Sequence, residues 1–217
     1  MKKRRQFLKN AAEFLVGLWI FLSPAGFWIR KAFAKVKKII LPKGTRPETL
    51  QGRNPANLDT RNLELTPIEK FGTMGTTNHH VDLKTWHLEI SGHLQRPLQL
   101  TYPQIVQLPA IERNVLLICP GVFSYNAQWK GVSVATILEM AKVRDGAAHV
   151  SFSGPVGNYE KVERFPIEDI LSDKVFLAYR VNGEKLPQKH GFPLRVVAEG
   201  YYGSDWVKYV SKVVVIG

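Results

Sequence analysis

Residues 114–121, NVLLICPG, are the stretch that decides the fold. The continuous apolar run from Val115 to Cys119 predicts a strand that is covered on both faces. Because Pro120 and Gly121 break that strand, we expect the Cys119 sulfur at the edge of a sheet, where ligands usually bind. Cys119 is the single cysteine of the chain and forms no internal disulfide. The alternative is a buried small hydrophobe with no chemical role.

Outward from this strand the pattern is strand-rich, with only short helices. Alternating or apolar runs predict further strands at residues 86–90, 98–100, 149–152, 175–179, 194–198 and 207–216. Asn182-Gly183 is a strong hairpin signal. Helices are predicted after the hydroxyl N-cap candidates Thr101 and Ser133, with a helical turn at 167–171. This order predicts an α+β fold: a mainly β, mixed-sheet domain with short helices.

The positive charge belongs to the N-terminal segment and not to the body of the protein. The chain of 217 residues has a formal net charge of +12, but residues 1–46 hold twelve Lys or Arg against one acid. The other 171 residues carry 18 basic and 17 acidic side chains. A groove that follows a nucleic-acid backbone needs its charge on the folded domain. We therefore expect no nucleic-acid partner.

The N-terminal segment is typical of an export signal. Residues 2–9 include five Lys or Arg, residues 14–29 carry no charge, and Ala32-Phe33-Ala34 offers a small-x-small cleavage site. Arg4-Arg5-Gln6-Phe7-Leu8-Lys9 resembles a twin-arginine signal, which implies the twin-arginine export machinery and a periplasmic location. An ordinary signal with two adjacent arginines, or an uncleaved membrane anchor, is the alternative. We predict a signal or anchor at 1–34, a linker or extended arm at 35–70 and one domain at 71–217.

The six histidines do not have the spacing of a zinc site, and no nucleotide-binding or serine-hydrolase motif is present. A Cys–His hydrolase stays open, because a thiolate and an imidazole that are distant in sequence can meet in the folded chain. The run from His190 to Val197, HGFPLRVV, places Arg195 among apolar residues. A buried Arg needs an anion, so Arg195 predicts either an oxyanion site, with Lys208 as a second cation, or a structural ion pair with Glu199 or Asp205.

Several motifs together resemble the molybdopterin domain of the sulfite oxidase family. The resemblance rests on Leu177-Ala178-Tyr179, on the HGFPLRVV run, and on Gly203 with Trp206-Val207-Lys208. Upstream, Phe71 with Asn78-His79 resembles the family's early cofactor-contacting loop. Cys119, followed by Trp129-Lys130-Gly131-Val132, resembles its molybdenum-ligand segment. The resemblance spans roughly residues 64–217 and implies a sulfite-oxidase-like fold.

The resemblance also implies a cofactor and roles for particular residues. The cofactor is a molybdenum-bearing pyranopterin (molybdopterin) without an attached dinucleotide, and Cys119 is its metal ligand, because a soft thiolate suits a sulfur-rich centre. The residues implied to bind the cofactor are Asn78, His79, His190, Arg195, Val207 and Lys208. Tyr179 aligns with a tyrosine near the metal and is the second implied catalytic residue. Its alternative is a half-buried strand tyrosine.

The loop after the cysteine departs from the sulfite-oxidising pattern. Sulfite oxidases place a Gly-Asn-Arg element there, whereas this chain reads Cys119-Pro120-Gly121-Val122-Phe123-Ser124 and has no arginine until Arg144. The aromatic residue and the serine in this loop are closer to the bacterial periplasmic methionine sulfoxide reductase branch. We therefore expect two-electron oxygen-atom transfer, with reduction of an S-oxide or N-oxide favoured over oxidation of the oxyanion sulfite.

The resemblance further implies a separate haem or membrane partner for electron transfer. Neither the C-terminal dimerisation domain of sulfite oxidases nor a haem domain is expected within these 217 residues. A non-catalytic binding module with the molybdopterin fold is the alternative from a different functional class.

Overall fold

The computed structural model describes residues 38–155 and 161–217. The predicted signal or anchor at 1–34 lies outside the described residues. The described strands are β1 (Ile39–Ile40), β2 (Leu58–Asp59), β3 (His87–Gly92), β4 (Leu98–Thr101), β5 (Ala110–Cys119), β6 (Phe123–Ser133), β7 (His149–Ser153), β8 (Val162–Pro166), β9 (Val175–Val181), β10 (Glu184–Lys185), β11 (Arg195–Ala198) and β12 (Lys212–Ile216). The described α-helices are α1 (Tyr102–Gln107), α2 (Val134–Ala141) and α3 (Ile167–Leu171), and five short 3-10 helices lie in the loops.

Two five-stranded sheets organise the described chain. In the first, the strands follow the order β10-β9-β6-β5, with β11 also paired to β9, and every pairing is antiparallel. In the second, the order is β4-β3-β12-β7-β8, and β12 pairs parallel with β3. The predicted fold class is confirmed, since the described residues form an antiparallel sheet and a mixed sheet with only three short α-helices.

Strand β5 is buried on both faces at its C-terminal half, as the apolar run predicts. Val115 and Leu117 belong to the main core, which contains residues of both sheets and of all three helices. Leu116 and Ile118 point the other way, into a second cluster with leucines contributed by residues 41–63. Alternate residues of a strand lie on opposite faces, so the continuous apolar run satisfies two separate cores.

Residues 38–70 supply the cover of that second face. Leu41, Leu50, Leu58 and Leu63 pack on β5, and β1 pairs parallel with β2. The Ser124 hydroxyl of β6 donates to the Pro47 carbonyl at 2.6 Å. The buried Ser124 and Asn126 side chains of β6 thus bond to backbone groups of this segment, which then leads into the loop at 72–76.

The helix caps follow the sequence signals. The Ser133 hydroxyl accepts a hydrogen bond from the Thr136 N–H at the start of α2. The apolar residues of α2 at Val134, Ile137 and Leu138 are all buried. At α1 the Gln104 side chain accepts from the Thr101 N–H at 2.9 Å. The strand predicted at 207–216 is wrong in extent: residues 207–211 are not part of β12, because Tyr209 adopts a left-handed conformation (φ 55°). Strands β6 and β8 were not predicted.

Within residues 38–155 and 161–217, no helix has both the length and the apolar character that crossing a membrane requires.

Candidate functional site

A cavity of about 470 Å³ opens beside the turn that joins β5 to β6. Its size lies in the range of small-molecule and cofactor sites. The loop at 72–76, the end of β5 and the start of β6 form part of the wall, together with the segments that flank β11. Three cations line it, Lys161, Arg195 and Lys208, and no Asp or Glu does so among the described residues. Such a lining favours an anionic ligand.

Cys119 lies at the mouth of this cavity. The strand ends there, because Gly121 turns the chain with a φ of +71° and Phe123 pairs directly opposite the cysteine. The Cys119 sulfur lies 3.2 Å from the Met74 sulfur, on the loop that crosses the cavity. Burial raises the pKa of the thiol, and the positive charge of Lys161 opposes that rise. A bound metal would favour the thiolate instead.

Arg195 is buried at the cavity wall without a carboxylate partner among the described residues. Its guanidinium donates to the His190 carbonyl at 3.1 Å. The central carbon of the guanidinium (Cζ) lies 4.9 Å from the centre of the Trp129 ring and 5.3 Å from the centre of the Trp206 ring. Burial lowers the pKa of Arg195, while the neighbouring Tyr125 hydroxyl opposes that shift.

The structural ion pair considered from the sequence is therefore not formed. Glu199 instead pairs with Lys38 at 2.8 Å and with Arg113 at 3.8 Å on the surface.

Lys208 ties the cavity walls together. Its ammonium donates to the Thr73 hydroxyl and the Lys189 carbonyl, each at 3.3 Å, and also to the Thr76 carbonyl. Gly191 is required beside it: its φ is +109°, and a Cβ there would lie 3.0 Å from the Lys208 side chain. Burial, followed by the charge of Arg195, lowers the pKa of Lys208 to about 8.

Buried polar nitrogens without a hydrogen-bond partner among the described residues lie at the same cavity. Of the side-chain nitrogens in the described part of the chain, two are buried with no hydrogen-bond partner, His190 Nε2 and Trp206 Nε1, and both residues line it. Burial, with help from three neighbouring cations, lowers the pKa of His190 to about 3. Leaving a buried donor unpaired costs about 1–3 kcal/mol, so these groups are suited to a ligand that accepts hydrogen bonds.

An aromatic stack forms one wall of the cavity. The Phe71 and Tyr125 rings are stacked 4.0 Å apart, and Phe123 continues the stack at 5.9 Å. The backbone of Gly72 lies against Phe123, where a Cβ would come within 2.2 Å of the ring. Packing of the loop onto this stack thus positions Thr73 and Met74 over Cys119 and Lys208.

The structure brings four of the sequence-predicted residues to this cavity and leaves four away from its lining. Cys119, His190, Arg195 and Lys208 line it. The remaining four do not line it. Asn78 is exposed, and His79 lines a neighbouring cavity of about 400 Å³. Tyr179 packs against Tyr102, and the carbonyl of the buried Val207 accepts a hydrogen bond from the Val196 N–H. His79 remains close, because its ring contacts that of Tyr209 at 5.1 Å.

Sequence reasoning missed Lys161, Tyr125, Trp206 and Tyr209, which all line the cavity. The apolar residues Phe123, Tyr125, Ala127 and Trp129 alternate with polar ones along β6, a signal that would have placed Tyr125 and Trp129 on one face. Trp206 and Tyr209 flank the predicted Val207 and Lys208, but only the fold shows which of them faces the cavity.

The lining fits a cofactor that has a soft metal centre and an anionic group. Among the residues described, no cluster of three His, Cys, Asp or Glu could hold a metal, so a metal here would need ligands that a cofactor brings. A single thiolate, cations without carboxylates and unpaired buried donors are complementary to a phosphorylated, sulfur-rich metal cofactor. The cavity and its residues therefore define a protein that binds such a cofactor.

Comparison with known proteins gives the family. Residues 74–217 match the family model described as the oxidoreductase molybdopterin binding domain. The chain belongs to this family of molybdopterin-dependent oxidoreductases, with a sulfite-oxidase-like domain, and molybdopterin is its cofactor.

The relatives give the range of proteins that this chain is similar to. It is 29% identical over 143 residues to the protein-methionine-sulfoxide reductase catalytic subunit MsrP of Gluconobacter oxydans, covering 59% of this chain and 46% of that protein. It is 30% identical over 171 residues to the uncharacterized oxidoreductase YuiH of Bacillus subtilis, covering 77% and 82%. The sulfane dehydrogenase SoxCD of Paracoccus pantotrophus superimposes with a TM-score of 0.60 at 22% identity, covering 83% of this chain and 50% of that chain. The chain thus spans about half the length of MsrP and of the SoxCD chain.

Proposed function

We propose that this protein is an exported molybdenum-cofactor oxidoreductase that carries out two-electron oxygen-atom transfer, with Cys119 as the protein ligand to molybdenum. The observation that carries the proposal is that Cys119, the buried Arg195 and the half-buried Lys208 line one cavity, to which no Asp or Glu among the described residues contributes. A phosphorylated pterin with a sulfur-bound metal needs both features at once.

The residues divide into a metal-binding group and a phosphate-binding group. Cys119 would hold the metal, and the cofactor supplies the redox chemistry when it is bound. His190, Arg195 and Lys208 would hold the terminal phosphate, because Arg195 is buried with no carboxylate and His190 has an unpaired nitrogen among the described residues. Asn78, His79 and Val207 stay proposed cofactor contacts, and Tyr179 stays a proposed catalytic residue, although none of them lines the cavity.

The surroundings of Cys119 favour a substrate without a full negative charge. Met74, Phe123 and Leu117 line the cavity near the cysteine, and Val122 is exposed beside it. Lys161 also lines the cavity but does not belong to the phosphate-binding group, and its ammonium pairs with the Glu163 carboxylate at 3.4 Å. We therefore propose reduction of an S-oxide or N-oxide, in which R₂SO takes up two electrons and two protons and yields R₂S and water.

The positive charge of Lys161 in the cavity lining favours the alternative function, oxidation of sulfite to sulfate. Lys161 lines the same cavity as Cys119, where its charge would attract an anionic substrate. A single lysine that is already paired gives less attraction for a dianion than several unpaired arginines would.

A substrate panel tests the choice between these functions. The molybdenum-loaded full chain is assayed with a reduced dye for methionine sulfoxide, dimethyl sulfoxide and trimethylamine N-oxide, and with an oxidised dye for sulfite. We expect turnover of at least one oxide, and Lys161→Met should leave its kcat/KM within about threefold of the wild-type value. Turnover of sulfite alone, abolished by Lys161→Met, would contradict the preferred substrate and support the alternative.

The location and the electron partner are part of the proposal. The Arg4-Arg5 pair supports export by the twin-arginine machinery to the periplasm, where a haem protein or a membrane partner would exchange electrons with the cofactor. Replacing Arg4 and Arg5 by lysine should retain the protein in the cytoplasm on cell fractionation. Replacing Lys2 and Lys3 by arginine is the matched control. Unchanged export of the Arg4, Arg5 variant would contradict this route.

A further inference from the structure

Trp206 has a polar group that the described fold leaves unused. The side chain is buried, with 2% of its surface exposed, and it lines the cavity. Its indole nitrogen has no hydrogen-bond partner within the described residues. The main chain holds it firmly in place: its own N–H donates to the Gly203 carbonyl, and Gly203 packs so closely on β5 that a Cβ would come within 2.7 Å of Leu117.

Trp129 provides a direct comparison within the same site. Both tryptophans face the Arg195 guanidinium, at 4.9 Å for Trp129 and 5.3 Å for Trp206, and their rings meet edge to face at 5.7 Å. The Trp129 indole N–H, however, donates to the Val115 carbonyl at 3.1 Å. The two side chains thus share the role of holding Arg195 and differ in whether the N–H is already used.

We propose that the indole N–H of Trp206 donates a hydrogen bond to the phosphate of the bound molybdopterin, which makes Trp206 a cofactor-binding residue beside His190, Arg195 and Lys208. This inference rests on the proposed phosphate-binding group. A buried neutral donor next to a guanidinium is well suited to an anionic oxygen, because the bond is charge-assisted and the oxygen is held by the neighbouring cation.

The phosphate is the part of the cofactor that best fits this position. Trp206 is next to Arg195, and His190 is joined to Arg195 through its carbonyl, so the unpaired indole N–H and an unpaired imidazole nitrogen flank one guanidinium. A tetrahedral phosphate has several acceptor oxygens and accepts hydrogen bonds from more than one direction. The aromatic face of Trp206 would at the same time keep Arg195 in position.

Phosphate binding to the full chain, produced in a host that cannot make molybdopterin, tests this inference. Inorganic phosphate is titrated against thermal unfolding at constant ionic strength, with the wild type, Trp206→Phe and the matched control Trp129→Phe. Both variants keep an aromatic face for Arg195, but only Trp206→Phe removes the unpaired donor. We expect phosphate to stabilise the wild type and Trp129→Phe, and to bind Trp206→Phe about tenfold more weakly.

The stability of the three phosphate-free proteins gives a second readout. Trp206→Phe should unfold at or above the wild-type temperature, because an unpaired buried N–H is removed, whereas Trp129→Phe should unfold lower because it loses the bond to Val115. Equal phosphate affinity of Trp206→Phe and the wild type, or no stabilisation of the wild type by phosphate, would overturn the inference. The proposed function fails separately, if protein from a host that makes molybdopterin contains no molybdenum.

Discussion

Replacing Arg195 by methionine should stabilise the cofactor-free protein while removing its ability to retain molybdopterin. Arg195 is 3% exposed and has no carboxylate partner among residues 38–155 and 161–217. The change loses one good hydrogen bond, to the His190 carbonyl at 3.1 Å, and the two contacts with tryptophan rings. Those losses are about 2–4 kcal/mol in total, against a desolvation penalty of several kcal/mol for the buried charge.

The balance predicts a gain of about 1–3 kcal/mol in the free energy of unfolding of the cofactor-free chain. At about 2–4 °C per kcal/mol for a domain of this size, the melting temperature should rise by several degrees. Urea unfolding measures the first quantity and calorimetry the second. Arg113→Met is the matched control, because Arg113 is a half-exposed surface residue that pairs with Glu199 at 3.8 Å, and it should change stability by less than about 0.5 kcal/mol.

A loss of stability in Arg195→Met would instead mark Arg195 as a structural residue. If Arg195→Met lowers the free energy of unfolding by more than about 1 kcal/mol, Arg195 is a structural residue that the fold needs without any ligand. If the variant still retains molybdopterin through gel filtration as the wild type does, the guanidinium is not part of the phosphate-binding group.

Three further changes test other parts of the site. Tyr125→Phe should lower cofactor retention about tenfold, because its hydroxyl lies beside Arg195 in the cavity, whereas Tyr179→Phe should lower kcat and leave cofactor retention unchanged; full cofactor retention by the Tyr125 variant, or full activity of the Tyr179 variant, would contradict these roles. Burial lowers the pKa of His190 from 6.5 to about 3, so between these pH values the unfolded chain binds one more proton than the folded chain. As the pH falls from 6.5 towards 3, the cofactor-free protein should therefore lose up to about 1.4 kcal/mol of stability per pH unit. If a His190→Gln variant shows the same pH dependence in urea unfolding, His190 is not the cause. Gly131→Ala should destabilise the fold by about 2–3 kcal/mol, since a Cβ there would lie 2.0 Å from the Leu177 carbonyl oxygen. Gly52→Ala is the control, because there is open space around Gly52. Equal stability of the two variants would count against the close packing of β6 on β9.

The strands that could be predicted are those whose pattern directly reports burial. The run from Val115 to Cys119 is apolar at every position because β5 separates two cores, and the prediction of a strand covered on both faces is confirmed. β6 was missed although its residues alternate, since its polar residues Ser124 and Asn126 are read as exposed. They are in fact buried and bonded to the segment 38–70, and local pattern cannot show that cover.

The site was predicted where side-chain chemistry is unusual for its setting. A lone cysteine at a strand end and an arginine inside an apolar run each stand out in the sequence, and Cys119 and Arg195 do meet in one cavity. Tyr179 was expected there from alignment, but β9 directs it towards Tyr102. Tyr125 and Trp206 reach the cavity through strand pairing and a loop approach that involve distant parts of the chain, which no local signal reports.

The sulfur coordination of molybdenum, measured by X-ray absorption on the full chain and on Cys119→Ser, tests directly whether Cys119 is the metal ligand. We expect about one molybdenum per wild-type chain and one sulfur ligand fewer in the variant, with the fold retained and the activity lost. The same number of sulfur ligands in both proteins, or full activity in Cys119→Ser, would contradict this assignment.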